Sequence, residues 1–498
     1  MRDTIRFIRK GRVVEVRDVA PTETLLDYLR LRERACGTKE GCNEGDCGAC
    51  TVAVGSVEGD RLIYRPVNAC IQFVGQLDGK EIVTVEDIAG PSGLHPVQQA
   101  MVDHHGSQCG FCTPGIVMSL FSLYQDAARE TPPSRAVIDE WLAGNLCRCT
   151  GYRPIVDAAR TALASPADDM FTRSAEATTG VLQFLADDQD VFVGTEDAFF
   201  AAPRSVEALA ALYGRHPDAT LVAGATDVGL WITKQFRPIR KLIHLGRVDG
   251  LDRIEDLGPA LIIGATATYE AAFDALAAVD PDVGAVLRRL GSRQVRASGT
   301  IGGNIANGSP IGDTPPMLIA LGATLELVSA EANRAMPLEE FFLDYGVQDR
   351  RPSEFVAGVL VPKLKDDQVF RAYKISKRFD QDISAVLGAF LFTLRDGVIT
   401  EARVAFGGMA AIPKRARAVE ERLVGVSPAS AAAWSPAIEA FAEDFQPLTD
   451  MRASAHYRLE TARALLAKAL LETAGAPTSR TRVVGHREPR QEAAHVGA

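Results

Sequence analysis

Hydrophobic and polar residues alternate from the start of the chain. Ile5 and Phe7, then Val14 and Val16, lie on either side of Lys10-Gly11 with polar neighbours between them, which predicts a β-hairpin. Thr22 is placed to N-cap a helix running through Leu25, Leu26, Leu29 and Leu31. Glycine-rich irregular chain then carries Cys36 to Cys50, and the strand-like runs TVAVGSV and RLIYRPV follow. The expectation is a small mixed sheet with one helix. From about Val85 the pattern changes to short helices, opening at His95-Pro96-Val97 and continuing over Gly115–Ala128, Arg135–Ala143 and Arg153–Ala164. Two cysteine loops separate them, QCGFCTP from Gln108 and CRCTGY from Cys147, so the pattern predicts a compact four-helix unit with cysteines at helix ends.

Residues 166–192 are weakly patterned and acidic toward their end, as an exposed linker is. Strands and helices mix through 193–370, with glycine clusters near 224 and 302. Residues 371–475 read as strands followed by Ala-rich helices, and 476–498 as a polar, disordered tail. The first two units take residues 1–84 and 85–165.

A chain of 498 residues is too long for one core and divides into several domains. Its 47% hydrophobic and 24% charged residues are ordinary for a globular protein. A net charge of −10 with no basic stripe argues against nucleic-acid binding. The N-terminus lacks the apolar stretch of a signal peptide, and no apolar run approaches the roughly 18 residues of a membrane span. The expectation is a cytoplasmic protein that engages no membrane. Its nine cysteines all lie before residue 150, a placement that points to metal rather than disulfides in a reducing compartment.

Cys42-x4-Cys47-x2-Cys50, with Cys70 further on, has plant-type ferredoxin spacing, in which four thiolates hold a [2Fe–2S] cluster. Gly41, Gly45 and Gly48 suit a loop that bends sharply and points its N–H groups at sulfide. Structural zinc, the alternative, usually presents two C-x2-C pairs. Cys36 falls outside the spacing and is expected to be a spare, buried thiol. The second set is Cys109-x2-Cys112 with Cys147-x-Cys149, whose close C-x-C pair suits a two-iron cluster between helix ends better than one tetrahedral ion. No G-x-G-x-x-G occurs. Leu221–Val228 runs a strand into a small-residue turn, and Ser298–Asn304 with Asn307–Asp313 is a longer stretch of the same kind. Both suit close approach to a pyrophosphate, and both are also what ordinary tight turns look like.

A ferredoxin-type domain followed by QCGFCTPG and GNLCRCTGYRPI resembles the iron–sulfur half of the molybdenum hydroxylases, a family that includes xanthine dehydrogenase, aldehyde oxidase and carbon monoxide dehydrogenase. LVAGATDVG and ASGTIGGNIANGSPIGD resemble the two FAD loops of that family's flavoprotein domain. The resemblance implies a multidomain α+β fold. Its parts would be a plant-type ferredoxin β-grasp domain, a four-helix [2Fe–2S]-binding domain, an FAD-binding domain of the vanillyl-alcohol-oxidase (PCMH) type and a C-terminal α+β flavoprotein domain.

By the same resemblance Leu221, Val222, Ala223, Gly224, Ala225, Thr226, Asp227 and Val228, with Thr300, Ile301, Gly302, Gly303 and Asn304, hold the FAD diphosphate. Asp313 would bond near the ribityl chain, Lys374 would contact the flavin and Val356 would pack near its ring. Leu290 stands where the animal enzymes stack an aromatic, and Gly346 where they have arginine. Gln108 would touch the pyranopterin of a molybdenum cofactor on a partner; a helix-end cap is its structural alternative. Asp380 and Asp382 either face NAD or belong to a solvated loop.

Fused iron–sulfur and FAD domains of this order resemble the small subunit of the bacterial xanthine dehydrogenases. The resemblance implies a large molybdenum-binding partner, a dimer of heterodimers, and oxidation of hypoxanthine and xanthine on that partner. Electrons would then cross two [2Fe–2S] clusters to FAD and on to NAD+, with no catalytic side chain on this chain beyond the bound FAD. A related hydroxylase of aldehydes or N-heterocycles with oxygen or quinone as acceptor, and a partnerless redox protein, are the alternatives.

Overall fold

A computed structural model describes residues 1–90 and 93–482. The hairpin forms as the alternation predicts: Ile5–Arg9 pairs antiparallel with Arg12–Val16. Lys10 and Gly11 at φ +51° and +67° make the turn whose twist matches that of the strands. The sheet order is Arg12–Val16, Ile5–Arg9, Glu81–Val83, Thr51–Glu58, Arg61–Asn68, with Ile5–Arg9 parallel to Glu81–Val83. The helical cap is Thr24, not Thr22. Its hydroxyl accepts from Asp27 N–H at 3.1 Å, and the helix Leu25–Asp27 runs on as the wider turn Tyr28–Arg32. Leu25, Leu26 and Leu29 are buried against Phe7 and Phe73, while Leu31 is exposed.

The four helices of the second unit are Pro96–Asp103, Thr113–Gln125, Arg135–Leu142 and Arg153–Ala162. Thr113–Gln125 is buried on every side from Gly115 to Tyr124, as an apolar helix surrounded by its neighbours must be. Residues 166–192 hold a helix, Met170–Leu185, instead of irregular chain. Asp169 caps it by accepting from Thr172 N–H at 2.8 Å, and Phe171, Leu182 and Leu185 anchor it.

The flavoprotein part contains a sheet of Val191–Thr195, Ala198–Ala202, Lys241–His244 and Thr220–Val222. A second, antiparallel sheet has Ile254–Asp256, Ala260–Gly264, Phe355–Pro362, Thr324–Val328 and Asn333–Pro337 in that order. The C-terminal unit is the sheet Gln368–Ile375, Val386–Arg395, Val398–Gly407, Lys414–Arg415 with the long helix Ala455–Thr473 against it. Residues 476–482, expected to belong to a disordered tail, include the turn of helix Thr478–Thr481. Arg482 there bonds Asp282 at 2.6 Å and Glu472 at 2.6 Å. The rest of that expected tail, 483–498, lies outside the described residues.

Several contacts join the iron–sulfur and flavoprotein parts. Phe73 and Ile71 share one core with Phe200, Val222 and Leu242, and a Cβ on Gly75 would strike the Phe200 ring. Arg2 N–H donates to Asp190 O and Arg2 O accepts from Phe192 N–H, both at 2.8 Å, so the N-terminus pairs with the edge strand Val191–Thr195. Asp78 binds Arg2 at 2.7 Å and Arg247 at 3.1 Å, and Asp187 binds Arg6 at 2.5 Å and Arg247 at 3.1 Å.

Candidate functional site

The loop of the first cysteine set is turned by Asn43, Gly45 and Gly48 at φ +57°, +78° and +69°. Left-handed residues fold the chain so that successive N–H groups converge on one side. Cys42 N–H donates to Cys47 Sγ at 3.3 Å, while the N–H groups of Asp46 and Cys47 donate to Cys42 Sγ at 3.4 and 3.3 Å. The Cys42 thiol is lowered to about 5, first by its bond with Cys47 and then, against burial, by the N–H groups of Cys47, Glu44 and Asp46. Cys50 and Cys70 are buried with their sulfurs 3.3 Å apart. Asn68 braces this pair: its amide donates to Gly45 O at 2.9 Å, and its Oδ1 lies 3.8 Å from Cys50 Sγ.

In the helical unit, the Cys109 thiol meets that of Cys149 and the Cys112 thiol that of Cys147. The first pair is exposed and the second half-buried. Cys109 is lowered, first by Phe111 N–H and then by Cys149. Cys147 N–H donates to Tyr152 Oη at 2.7 Å, and Thr150 Oγ1 lies 3.2 Å from Cys147 Sγ. Tyr152 itself is left-handed, at φ +66°, where the loop enters the helix Arg153–Ala162. Gln108 lies exposed beside Cys109. Cys112, and not Gln108, occupies the N-cap of Thr113–Gln125. Cys36, expected to be buried, is exposed; its carbonyl rather than its thiol is used, accepting from Lys39 Nζ at 2.7 Å.

The donor sets fit [2Fe–2S] clusters. The thiols meet in pairs, the arrangement that two irons with two protein ligands each require. The sets are also joined directly: Leu146 N–H, beside Cys147, donates to Cys47 O at 2.9 Å.

Toward the flavoprotein part, Leu221 to Val228 begins within the strand Thr220–Val222 and leads to Gly229, which lies against Ile71. Gln76 Nε2 donates to Ala223 O at 2.5 Å, and a Cβ on Gly229 would overlap Ile71. A Cβ on Gly224 would collide with Ser298 O, so the two small-residue stretches touch backbone to backbone. Thr300 Oγ1 accepts from Gly303 N–H at 3.0 Å and caps the helix Ile301–Asn307, which packs through Gly302 against Ala265. Asn304 Oδ1 is buried without a partner, and Asp227, exposed just before the helix Val228–Thr233, has its carboxyl pushed above the ordinary range by desolvation from the chain around it. An unpaired buried acceptor beside glycine-lined backbone fits a polar, extended ligand such as the FAD diphosphate and ribityl chain.

Asp313 and Lys374 form a buried ion pair at 2.6 Å, completed by Ser384 Oγ donating to Asp313 at 2.5 Å and Lys374 Nζ donating to Arg289 O at 3.2 Å. Leu290, next to Arg289, is partly buried against the same core as Val356. Gly346 forms the tip between Phe342–Asp344 and Val347–Gln348 at φ +68°, a conformation that favours glycine. Asp382 accepts from Arg378 N–H at 2.8 Å within its own loop, and Asp380 is exposed. Asn68, Gln76 and Ser384 lie outside the sequence expectations because only the fold brings them to these loops.

Four family models match in tandem: "2Fe-2S iron-sulfur cluster binding domain" over 8–74, "[2Fe-2S] binding domain" over 84–160, "FAD binding domain in molybdopterin dehydrogenase" over 195–364 and "CO dehydrogenase flavoprotein C-terminal domain" over 371–473. Xanthine dehydrogenase of Emericella nidulans is 32% identical over 89% of this chain and 36% of its own length. Xanthine dehydrogenase/oxidase of Rattus norvegicus is 31% identical over 82% and 34%. The chain thus spans about a third of the length of these relatives. Among solved structures, carbon monoxide dehydrogenase from Hydrogenophaga pseudoflava matches with a TM-score of 0.52 and 27% identity over 54% of this chain and 95% of that one. Reconstituted CO dehydrogenase from Oligotropha carboxidovorans gives 0.51 and 26% over 56% and 96%. No helix among the described residues is long and apolar enough to cross a membrane. With both iron–sulfur domains and the flavin domains matched in order, this chain belongs to the molybdenum hydroxylase family.

Proposed function

We propose that this chain is the cytoplasmic electron-transfer subunit of a xanthine dehydrogenase, pairing with a large molybdenum-binding subunit as a dimer of heterodimers and using NAD+ as acceptor. The observation that carries the reading is the chain of contacts between its loops. Exposed Gln108, Cys109 and Cys149 lie at one end, Leu146 N–H bonds Cys47 O in the middle, and Ile71 lies against Gly229 at the other. When bound, the clusters supply one-electron steps and FAD joins them to the two-electron chemistry of nicotinamide. The eight cysteines hold the irons, with Cys50 and Cys70 shielded from water. Residues Leu221, Val222, Ala223, Gly224, Ala225, Thr226, Asp227 and Val228, with Thr300, Ile301, Gly302, Gly303 and Asn304, provide the FAD cradle. Asp313 and Lys374 fix charge beside it, with Leu290 and Val356 as its apolar wall. Gln108 meets the partner's pyranopterin.

Xanthine as substrate is supported by the names of the relatives, and a substrate of another hydroxylase of the same build is the competing outcome. Co-expression with the large subunit, followed by assay with xanthine and NAD+, is expected to yield NADH; no NADH would overturn the xanthine reading. In the same complex Cys147→Ser is expected to abolish xanthine-driven reduction while NADH-driven reduction of an artificial acceptor persists. Equal loss of both would refute the separate roles given to the two halves.

A further inference from the structure

Between the two cysteine loops and the flavin loop lies a buried polar knot that binds no iron and no flavin. Its centre is Gln294 on the helix Arg293–Ser298, just before the Thr300–Asn304 stretch, and only 1% exposed. Gln294 Nε2, with two N–H groups to give, lies within donating distance of three oxygens: Thr51 Oγ1 at 3.2 Å, Ser119 Oγ at 3.2 Å and Asn145 Oδ1 at 3.1 Å. Thr51 follows Cys50, Asn145 precedes Cys147 by two positions, and Ser119 lies on the helix that follows Cys112. Asn145 Nδ2 donates to Gly48 O at 3.1 Å and to Thr51 Oγ1 at 3.3 Å. Ser119 Oγ donates to Asn145 Oδ1 at 2.6 Å, and Thr51 Oγ1 to Gly48 O at 2.7 Å. The hydroxyls of Ser119 and Thr51 and the amide N–H groups of Asn145 and Gln294 all have acceptors, while Gln294 Oε1, packed against Gly144, is buried without a partner.

Backbone packing leaves the knot no slack. A Cβ on Gly48 would overlap Gly144 O, one on Gly115 would overlap Gly48 O, and one on Gly144 would overlap Gln294 Oε1. Three backbones from two domains meet here, and a side chain from a third closes the gap. Burying polar side chains is costly unless they are paired, so the bonds that the knot does make hold its four side chains to this arrangement.

We propose that Gln294 is a positioning residue that sets the spacing between the two iron–sulfur sites from the flavin domain. It fixes Asn145 and Thr51, and these hold the Leu146–Cys47 hydrogen bond that joins the loops. The inference deepens the electron-transfer reading and rests on it. It assigns to the flavin domain a share in the path that precedes the flavin.

The test uses electron paramagnetic resonance of the dithionite-reduced full chain, whose two clusters are neighbouring paramagnets. The unsubstituted chain is expected to show two cluster signals, each split by the other. In Gln294→Met, which keeps the length but removes the donor, the splitting is expected to narrow or vanish while iron and FAD per chain stay unchanged. Ser119→Ala removes one partner without touching a cysteine loop and is expected to shift the splitting in the same direction by less. Leu120→Ala serves as the control: it destabilises the same helix and leaves the splitting unchanged. Unaltered splitting in both Gln294→Met and Ser119→Ala overturns the inference. If Gln294→Met fails to accumulate, Ser119→Ala alone decides it. Absence of a second cluster signal in the unsubstituted chain would instead remove the two-cluster reading itself.

Discussion

In the ferredoxin-type site Cys50 is 2% and Cys70 1% exposed, whereas Cys109 and Cys149 of the helical site stand open to solvent. Spacing explains part of this contrast. The buried site places Cys70 past a hairpin, inside a core shared with the flavoprotein part; the open site places all four thiols in short loops at helix ends. Burial also determines what each site can reach. In the proposed relay the buried Cys50 and Cys70 are the side of the ferredoxin-type site turned to the flavin loops beyond Ile71, while its Cys42 and Cys47 are half-buried like Cys112 and Cys147. On the same proposal the exposed Cys109 and Cys149 are the side suited to meet a second protein.

The sharpest test of that contrast is a pair of serine variants. Cys70→Ser is expected to lose its cluster and to lower thermal stability and FAD retention together. Cys149→Ser is expected to lose the other cluster with FAD content unchanged. In each, iron falls from about four to about two per chain. Iron and sulfide assays beside a flavin absorbance spectrum and a melting curve check this; equal FAD loss in both would erase the distinction.

A smaller effect probes where the two sites cease to be separate. Gly48 is left-handed and packed on Gly144, so Gly48→Ala is expected to cost about 3 kcal/mol in denaturant unfolding. It should also perturb both cluster signals at once. The smallest concerns the joint between the halves. Asp169 caps Met170–Leu185 and accepts from His95 at 2.8 Å. Burial raises its carboxyl, but the bonds from His95, Thr172 and Gln125 outweigh this and lower it to about 2. A depressed carboxylate stabilises the fold fully above the ordinary aspartate range and loses that contribution as pH falls through about 2. Asp169→Asn is expected to cost about 1 kcal/mol near neutral pH. The gap from the parent should close below pH 3 in acid-unfolding curves.

Much of the relay was legible in the chain. Cysteine spacing named the eight thiols that the fold brings together in pairs, Lys10-Gly11 named the hairpin and Pro96, Pro114 and Pro154 opened helices where the pattern put them. The helix Met170–Leu185 was not legible, because only Phe171, Leu182 and Leu185 of its sixteen residues are buried and Ser, Thr and Ala hide its period. Cys36 misled because a lone cysteine is most often a core residue, and here the loop lies on the surface. Gln294, Asn145 and Ser119 gave no local sign at all. They are single polar residues on three separate elements, and their common purpose exists only once the domains are packed. The one hint was glycine beside cysteine, at 48 and, less closely, at 144.

The pairing of Arg2 with Val191, clasped by Asp78, Asp187 and Arg247, bears on what a cut between the halves would do. The joint is made of non-covalent contacts: this bridge, a buried ion cluster, the core that Ile71 and Phe73 share with Phe200 and Leu242, and the bonds of Gln294. The peptide link through 170–185 adds to them by raising the effective concentration of one half around the other. A proteolytic nick in that link leaves the contacts in place, so the two fragments are expected to elute together on a sizing column.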